Sequence, residues 1–389
     1  MKKIIICFIF SFLLLFVVSP SVGNDISFAK NNKDAQEDLK ISAKSALLID
    51  YNSGEVLYEK KSNDRLQIAS MTKLATLAVV FDAIDKGAVK LTDYVTVSKN
   101  ASRVGGSSAF LDAGSNYKIA DLIKTVIIAS ANDSSVALAE HIAGSEELFV
   151  SKMNKFARSL NLENTNFENC TGLPVENHYS SASDMSQIYR QVCNNEIYKK
   201  YSKIWMDDLI HPSGRKTGLV NTNKLIKTYE GIEGGKTGFT NSARFCLTAS
   251  ASRGNLRLVA VVIGANDSKT RFAEMTKLFN YGFSNFDSKL VANKDVPVTI
   301  ANVLKTESKV QVYPQNNVSV LYNKNDEKSF TTDFKLDEIK APIKENDIVG
   351  KLFVFDENNM VVEEIDLIVK ETINELTLKD RLRKLVSVW

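Results

Sequence analysis

Ser70-Met71-Thr72-Lys73, at the head of the apolar run 74–84, is the stretch on which the reading of this chain turns. On a helix, a serine and a lysine three residues apart share one face. There the lysine amine can take the serine proton, provided that burial or a second cation keeps the amine neutral. Such a pair makes a nucleophilic serine without histidine, in a chain whose histidines are His141, His178 and His211. The bland competitor is a helix-capping Ser70 with Lys73 in solvent. The pattern Ser-x-x-Lys also occurs at Ser27–Lys30, Ser115–Lys118 and Ser213–Lys216, so the tetrapeptide alone decides little.

Two companions single out the copy at Ser70. Ser130-Ala131-Asn132 falls in the joint between two helical patterns, 121–128 and 136–142. Lys236-Thr237-Gly238 follows Gly234-Gly235 and precedes two strand-like runs, 245–252 and 256–264, joined by Arg253-Gly254-Asn255. A second Lys-Thr-Gly, at Lys216, follows the polar loop Pro212-Ser213-Gly214-Arg215 and is read as an accident. Ser130 and Asn132 could equally cap the helix that begins near Ser134. His178 and His141 are read as structural, His141 as packing on a mostly apolar helix.

The order Ser-x-x-Lys, Ser-x-Asn, Lys-Thr-Gly resembles the active-site signature of the penicillin-recognising serine acyl-transferases. Further stretches extend the likeness: Thr171-Gly172-Leu173-Pro174 with Asn177-His178, Asn221-Thr222-Asn223-Lys224-Leu225, residues 231–240 and residues 253–258. The chain is similar to the D-alanyl-D-alanine carboxypeptidases among the low-molecular-mass penicillin-binding proteins. The nearest form is that of spore-forming Gram-positive bacteria. The resemblance implies acyl transfer from a peptidoglycan stem peptide ending in D-Ala-D-Ala to Ser70, release of D-alanine, then hydrolysis. β-Lactam antibiotics are the implied inhibitors. It implies Lys73 as general base, with Lys236 depressing its pKa, and Ser130 as proton relay to the leaving amine. Asn132 would orient the stem. Lys236, Thr237 and Gly238 would receive the terminal residue, and the backbone amides of Ser70 and Phe239 the oxyanion. Gly105-Gly106-Ser107-Ser108 matches a positioning loop. No cofactor or metal enters this chemistry. A D,D-endopeptidase shares the machinery. A β-lactamase needs a deacylating glutamate, for which Glu163 and Glu176 are candidates by position only. A penicillin-binding receptor or scaffold would not need the five motif residues intact.

The 389 residues divide accordingly. Residues 1–23 read as a secretory signal: Lys2 and Lys3, then apolar 4–18, then Ser21-Val22-Gly23 as the cleavage site, with Ser27-Phe28-Ala29 as a second candidate. Residues 24–43 read as a flexible leader. Residues 44–286 form the catalytic domain, expected as α+β: an antiparallel sheet, entered through a hairpin at Asn52-Ser53-Gly54, covered by helices. Residues 287–375 alternate in short runs and read as a small all-β domain. In residues 376–389, Leu378, Leu382, Leu385 and Trp389 make one stripe beside Lys379, Arg381, Arg383 and Lys384. That pattern suits a helix lying on an anionic membrane surface. The expected location is therefore outside the cytoplasm, at the cell membrane and wall. A formal net charge of +3, or +1 once Lys2 and Lys3 leave with the signal, argues against nucleic acid as a partner. Cys170, Cys193 and Cys246 match no metal or redox spacing. They read as buried thiols, with a Cys170–Cys193 bridge open.

Overall fold

The computed structural model describes residues 39–375 apart from 307 and 327. The secretory signal, most of the leader and the amphipathic stripe fall outside the described residues. The body begins at residue 41. Ile41 and Ala43 are buried, the backbone of Ser42 and Ala43 donates to Glu274, and the Lys60 ammonium donates to the Ile41 carbonyl.

Strands β1 (Ser45–Asp50) and β2 (Val56–Lys60) form the expected hairpin, and Asp50 Oδ2 accepts from the amide and hydroxyl of Ser53 to set its turn. A 3₁₀ turn, Ala69–Thr72, runs into α1 (Lys73–Asp85), which Gly87 closes at φ +69°. Then follow β3 (Tyr94–Thr96), α2 (Lys99–Arg103), β4 (Asn116–Lys118), α3 (Ile119–Ala129), α4 (Asn132–Ala143), α5 (Glu146–Ser159), α6 (Ala182–Cys193) and α7 (Glu196–Ser202). The hairpin β5 (Met206–Ile210) and β6 (Lys216–Val220) leads through α8 (Leu225–Thr228) to β7 (Ile232–Thr240), β8 (Arg244–Arg253), β9 (Leu256–Ala265) and α9 (Ser268–Asn285).

These elements assemble one antiparallel sheet in the order β2-β1-β9-β8-β7, from both ends of the domain's sequence. β1 is buried along its whole length, and β9 nearly so, because α9 packs on the sheet and α6 packs on it as well. A strand covered on both faces has no need of polar alternation, which is why Ala46-Leu47-Leu48-Ile49 and Val259-Ala260-Val261-Val262 read as unbroken apolar runs. The apolar character of α1 has the same origin: it contacts α4, α5 and α6, and only Asp82 and Asp85 of its residues are exposed.

The C-terminal domain starts with β10 (Phe286–Ala292), followed by β11 (Thr299–Asn302), β12 (Lys309–Pro314), β13 (Val318–Asn323), β14 (Thr331–Leu336), β15 (Ile348–Phe355) and β16 (Val361–Val369). They form a two-stranded sheet, β10-β13, and a five-stranded sheet, β11-β12-β16-β15-β14. Val310, Val312, Leu352, Val354, Leu367 and Val369 supply its core, every second residue turning inward. β10 and β14 carry no clear sequence signal. β14 is a nearly fully exposed edge strand, so burial imposes no alternation on it. Cys170, Cys193 and Cys246 are buried free thiols, and the bridge left open above does not form. His141 differs from expectation: it is exposed in the last turn of α4 and packs in no core. Among the described residues no helix is long and apolar enough to cross a membrane.

Because α1 is enclosed by helices, truncating its fully buried Leu77 leaves a cavity that cannot collapse. Leu77→Ala is expected to cost about 2–5 kcal/mol. Denaturant unfolding measures it; a loss under ~1 kcal/mol would contradict the packing described.

Candidate active site

The 3₁₀ turn places Ser70 half-buried at the mouth of the helical layer and Lys73 fully buried one turn on. Lys73 Nζ donates to Ser70 Oγ at 3.1 Å and to the Thr171 carbonyl at 2.6 Å. Burial pulls the Lys73 pKa down to about 7, with Cys170 and Asp133 pulling weakly the other way. Burial is the leading cause of the depression. Repulsion between the two buried lysines is mutual and disfavours the charged form of each. Lys236 is held well below the usual range, first by burial, then by Lys73 and Arg271.

Lys236 lies on β7, the edge strand of the sheet, and its ammonium donates to Ser130 Oγ at 2.8 Å and to the Thr237 carbonyl at 2.9 Å. Ser130 caps α3 in the left-handed region, φ 62°, with its amide on the Thr125 carbonyl. Ala69, just before Ser70, has φ 48°. Non-glycine residues in this region cost roughly 1–3 kcal/mol each, and both flank the reacting hydroxyls.

Asn132 opens α4. Its Nδ2 donates to the Gly105 carbonyl at 2.6 Å, its amide donates to the Ser107 carbonyl, and its Oδ1 is buried without a partner. A Cβ on Gly106 would come within 2.6 Å of Asn132 Nδ2, so the Gly105-Gly106-Ser107-Ser108 loop rests directly on this amide. Thr237 Oγ1 donates to Thr222 Oγ1 at 2.6 Å. Gly238 also has a structural task. A Cβ there would sit 2.6 Å from the Ile68 carbonyl and 3.2 Å from the Ser70 amide, so the glycine lets β7 close on the serine turn. Phe239 follows, half-exposed, its ring 4.3 Å from that of Phe245.

The tertiary structure thus gathers Ser70, Lys73, Ser130, Asn132, Lys236, Thr237, Gly238 and Phe239. It leaves out the other matches. Ser115–Lys118 and Ser213–Lys216 lie at turns entering β4 and β6, and Ser27 is outside the described residues. Lys216 also begins a strand, so a strand alone does not distinguish the two Lys-Thr-Gly copies. Burial does: Lys216 is exposed in a two-stranded hairpin, and Thr217 Oγ1 is bonded to His211 Nε2. Glu163 and Glu176 are exposed, and neither carboxylate bonds Ser70 or Lys73.

Four further residues support the site, and of these His178 already reads as structural from the sequence. Asp133, fully buried, accepts from the amides of Ala109, Leu111 and Ser134 and the hydroxyl of Ser108, tying the 105–111 loop to α4. Gly172 packs on the serine turn, since a Cβ there would lie 2.0 Å from the Ala69 carbonyl. Arg271 of α9 donates to the carbonyls of Gly238 and Cys246 behind β7, and burial pulls its pKa to about 10. His178 Nδ1 accepts from the Glu168 amide, so its Nε2 carries the proton and donates to Thr72 Oγ1 at 2.7 Å. The signal for Asp133 was legible, a carboxylate in the first turn of a helix. The other three act across long sequence separations.

The fold is that of the penicillin-binding proteins: over 86% of this chain and 98% of theirs, it superposes on penicillin binding protein 5 from Haemophilus influenzae with TM-score 0.69 and 31% identity. Residues 31–267 match the sequence profile of D-alanyl-D-alanine carboxypeptidase, and residues 286–375 that of the penicillin-binding protein 5 C-terminal domain. The chain belongs to the D-alanyl-D-alanine carboxypeptidase family. It is 38% identical to the D-alanyl-D-alanine carboxypeptidase DacF of Bacillus subtilis, over 100% of this chain and 99% of that one. It is 34% identical to DacC of Escherichia coli, covering 86% of this chain and 85% of the relative.

Burial first, then the charge of Lys73, lowers the His178 pKa to about 4, below its usual 6.5. Between those values the unfolded chain takes up a proton that the native state refuses. Stability therefore falls as pH drops from about 6.5 towards 4, by at most about 1.4 kcal/mol per pH unit from this residue. Urea midpoints at pH 7 and pH 5 should draw apart less in His178→Gln than in the parent. An equal separation would assign the acid sensitivity elsewhere.

Proposed function

We propose that this chain is a serine-type D-Ala-D-Ala carboxypeptidase that removes the terminal D-alanine from peptidoglycan stem pentapeptides through an acyl-enzyme on Ser70. The observation that carries the reading is the buried Lys73 amine, near neutrality in its pKa and 3.1 Å from Ser70 Oγ. A neutral amine at that distance takes the hydroxyl proton as Oγ attacks the carbonyl carbon of the penultimate D-alanine. The backbone amides of Ser70 and Phe239 receive the oxyanion. Ser130 passes a proton to the departing D-alanine nitrogen and is itself resupplied by the lysines. Water then attacks the ester, with Lys73 again as base, and Ser70 is restored.

Substrate orientation follows from the unfilled valences. Asn132 Oδ1, buried and unpartnered, accepts a stem amide N–H. Lys236 and Thr237 receive the terminal carboxylate. Burial and Lys73 push Lys236 towards neutrality, and a substrate carboxylate favours its charged form. β-Lactams enter the same site and acylate Ser70. We assign residues 1–23 to an export signal, 24–43 to a leader, 44–286 to catalysis, 287–375 to a spacer domain, and 376–389 to a helix on the extracytoplasmic face of the membrane.

D-Alanine release from a soluble stem pentapeptide should be abolished in Ser70→Ala. In the parent, the acylation rate should rise about tenfold between pH 6 and pH 8 as Lys73 loses its proton. Release that survives Ser70→Ala, or a rate flat over that range, would overturn the reading. Deleting residues 377–389 should free the protein from anionic vesicles and leave activity on the soluble peptide intact. Basic residues near such a surface contribute roughly 1 kcal/mol each. Equal vesicle binding after deletion would show that the tail is not the anchor.

A further inference from the structure

Between the two domains lies a cleft of about 480 Å³, on the β1–β2 turn and the end of α6 on one side and on residues 316–319 and β16 on the other. Its walls carry side-chain amides that the fold does not use. Asn52, Gln191, Asn194 and Asn316 all line it, and none of these four side-chain amides makes a hydrogen bond among the described residues. Each can donate twice and accept through its oxygen. Four unspent amides around one cavity are a concentrated supply of neutral hydrogen-bonding capacity.

The frame beneath them is stiff. Arg190 Nη2 donates to the Asn52 carbonyl and Nη1 to Gln187 Oε1, pinning the turn to α6. Asp50, buried at the base of the turn, holds Ser53 through its amide and hydroxyl. The remaining charge on the walls is one arginine, already engaged, and Glu363 opposite, so the cleft has no field that selects an ion. Its apolar lining is Val318, Ile365 and the ring of Tyr51, which the Arg257 guanidinium already covers at 3.8 Å. The cleft is not part of the catalytic site. Lys236 pairs with Thr248, Thr248 with Val261, and Val261 with Leu47, four residues before Tyr51. Strand spacing and rise put the two about 20 Å apart.

We propose that this interdomain cleft is a second binding site, for the neutral N-acetylated sugar backbone of the polymer whose stem peptide enters the catalytic site. The proposal rests on the function proposed above. A sugar chain presents hydroxyls and acetamides that both donate and accept, matching side-chain amides and needing no counter-charge. A cavity of 480 Å³ is in the range of small-ligand sites. Holding the polymer at a point remote from the scissile bond raises the local concentration of its stems at the serine.

The test uses the full chain and neutral oligomers of N-acetylglucosamine as the glycan probe, with binding followed by titration calorimetry. The triple variant Gln191→Ala/Asn194→Ala/Asn316→Ala should weaken binding at least tenfold, and Asn194→Trp, which fills the cleft, should do the same. Both should keep parental labelling by fluorescent penicillin and parental turnover of a soluble pentapeptide, while KM for glycan-linked stems rises. Undiminished glycan binding in both variants overturns the proposal. So does absence of glycan binding by the parent, or its displacement by free stem peptide, which would make the cleft a peptide groove. Glycan binding lost in the variants supports the site even if the parent releases no D-alanine, a result that would overturn only the proposed activity.

Discussion

A lysine amine with no exposed surface, held by one hydroxyl and one carbonyl, is the constraint around which this molecule is arranged. Burying an ammonium without full compensation is costly, and the protein's answer is to let the amine approach neutrality. That requires α1 to be enclosed from its first residue, which is why residues 74–81 are apolar apart from Thr76 and only its last turn carries exposed aspartates. It also requires a carbonyl within reach of Nζ. Thr171 supplies it because Gly172 has no side chain to strike the Ala69 carbonyl. A single glycine thus joins the 171–172 segment to the serine turn.

The second lysine shapes the other half of the site. Lys73 and Lys236 cannot both be fully charged in a dry pocket, and both are held below the usual lysine range, first by burial. Its hydrogen bond to Ser130 ties the joint between α3 and α4 to the edge strand, and close packing at Gly238 sets that strand against the serine turn. Left-handed backbone at Ala69 and Ser130 is the local cost of presenting two hydroxyls to one space. Asp133 and His178 stand behind this unit. One secures the glycine loop, and the other fixes Thr72 on the far side of the serine turn.

The C-terminal domain adds no catalytic group to this cluster. Its contribution is geometric: β10 leaves directly from the end of α9 and pairs with β13, and Lys324 donates its backbone amide to the Asn285 carbonyl and its ammonium to that of Phe283. The second domain is therefore bonded to the helix that covers the catalytic sheet. That attachment creates the polar cleft between the domains.

Periodicity and turn chemistry are local, and what they specify was legible in the chain. The Asn52-Ser53-Gly54 hairpin, the buried helix after Lys73, the joint at Ser130 and the strand pair after Lys236 all follow from residues near in sequence. The order of the three motifs carried the family resemblance and with it the α+β class. β10 and β14 were not legible, since partly exposed strands carry little pattern, and His141 was misplaced because a mostly apolar helix can still turn one end to water. What only the tertiary structure decided is which lysines are dry. Two Lys-Thr-Gly copies look alike as text, and both start in strands. One lies at the edge of the central sheet against a helical layer, and the other in an isolated exposed hairpin. Desolvation is a property of everything packed around a group, gathered from residues as far apart as Ser70, Thr171 and Lys236, and no window of sequence contains it.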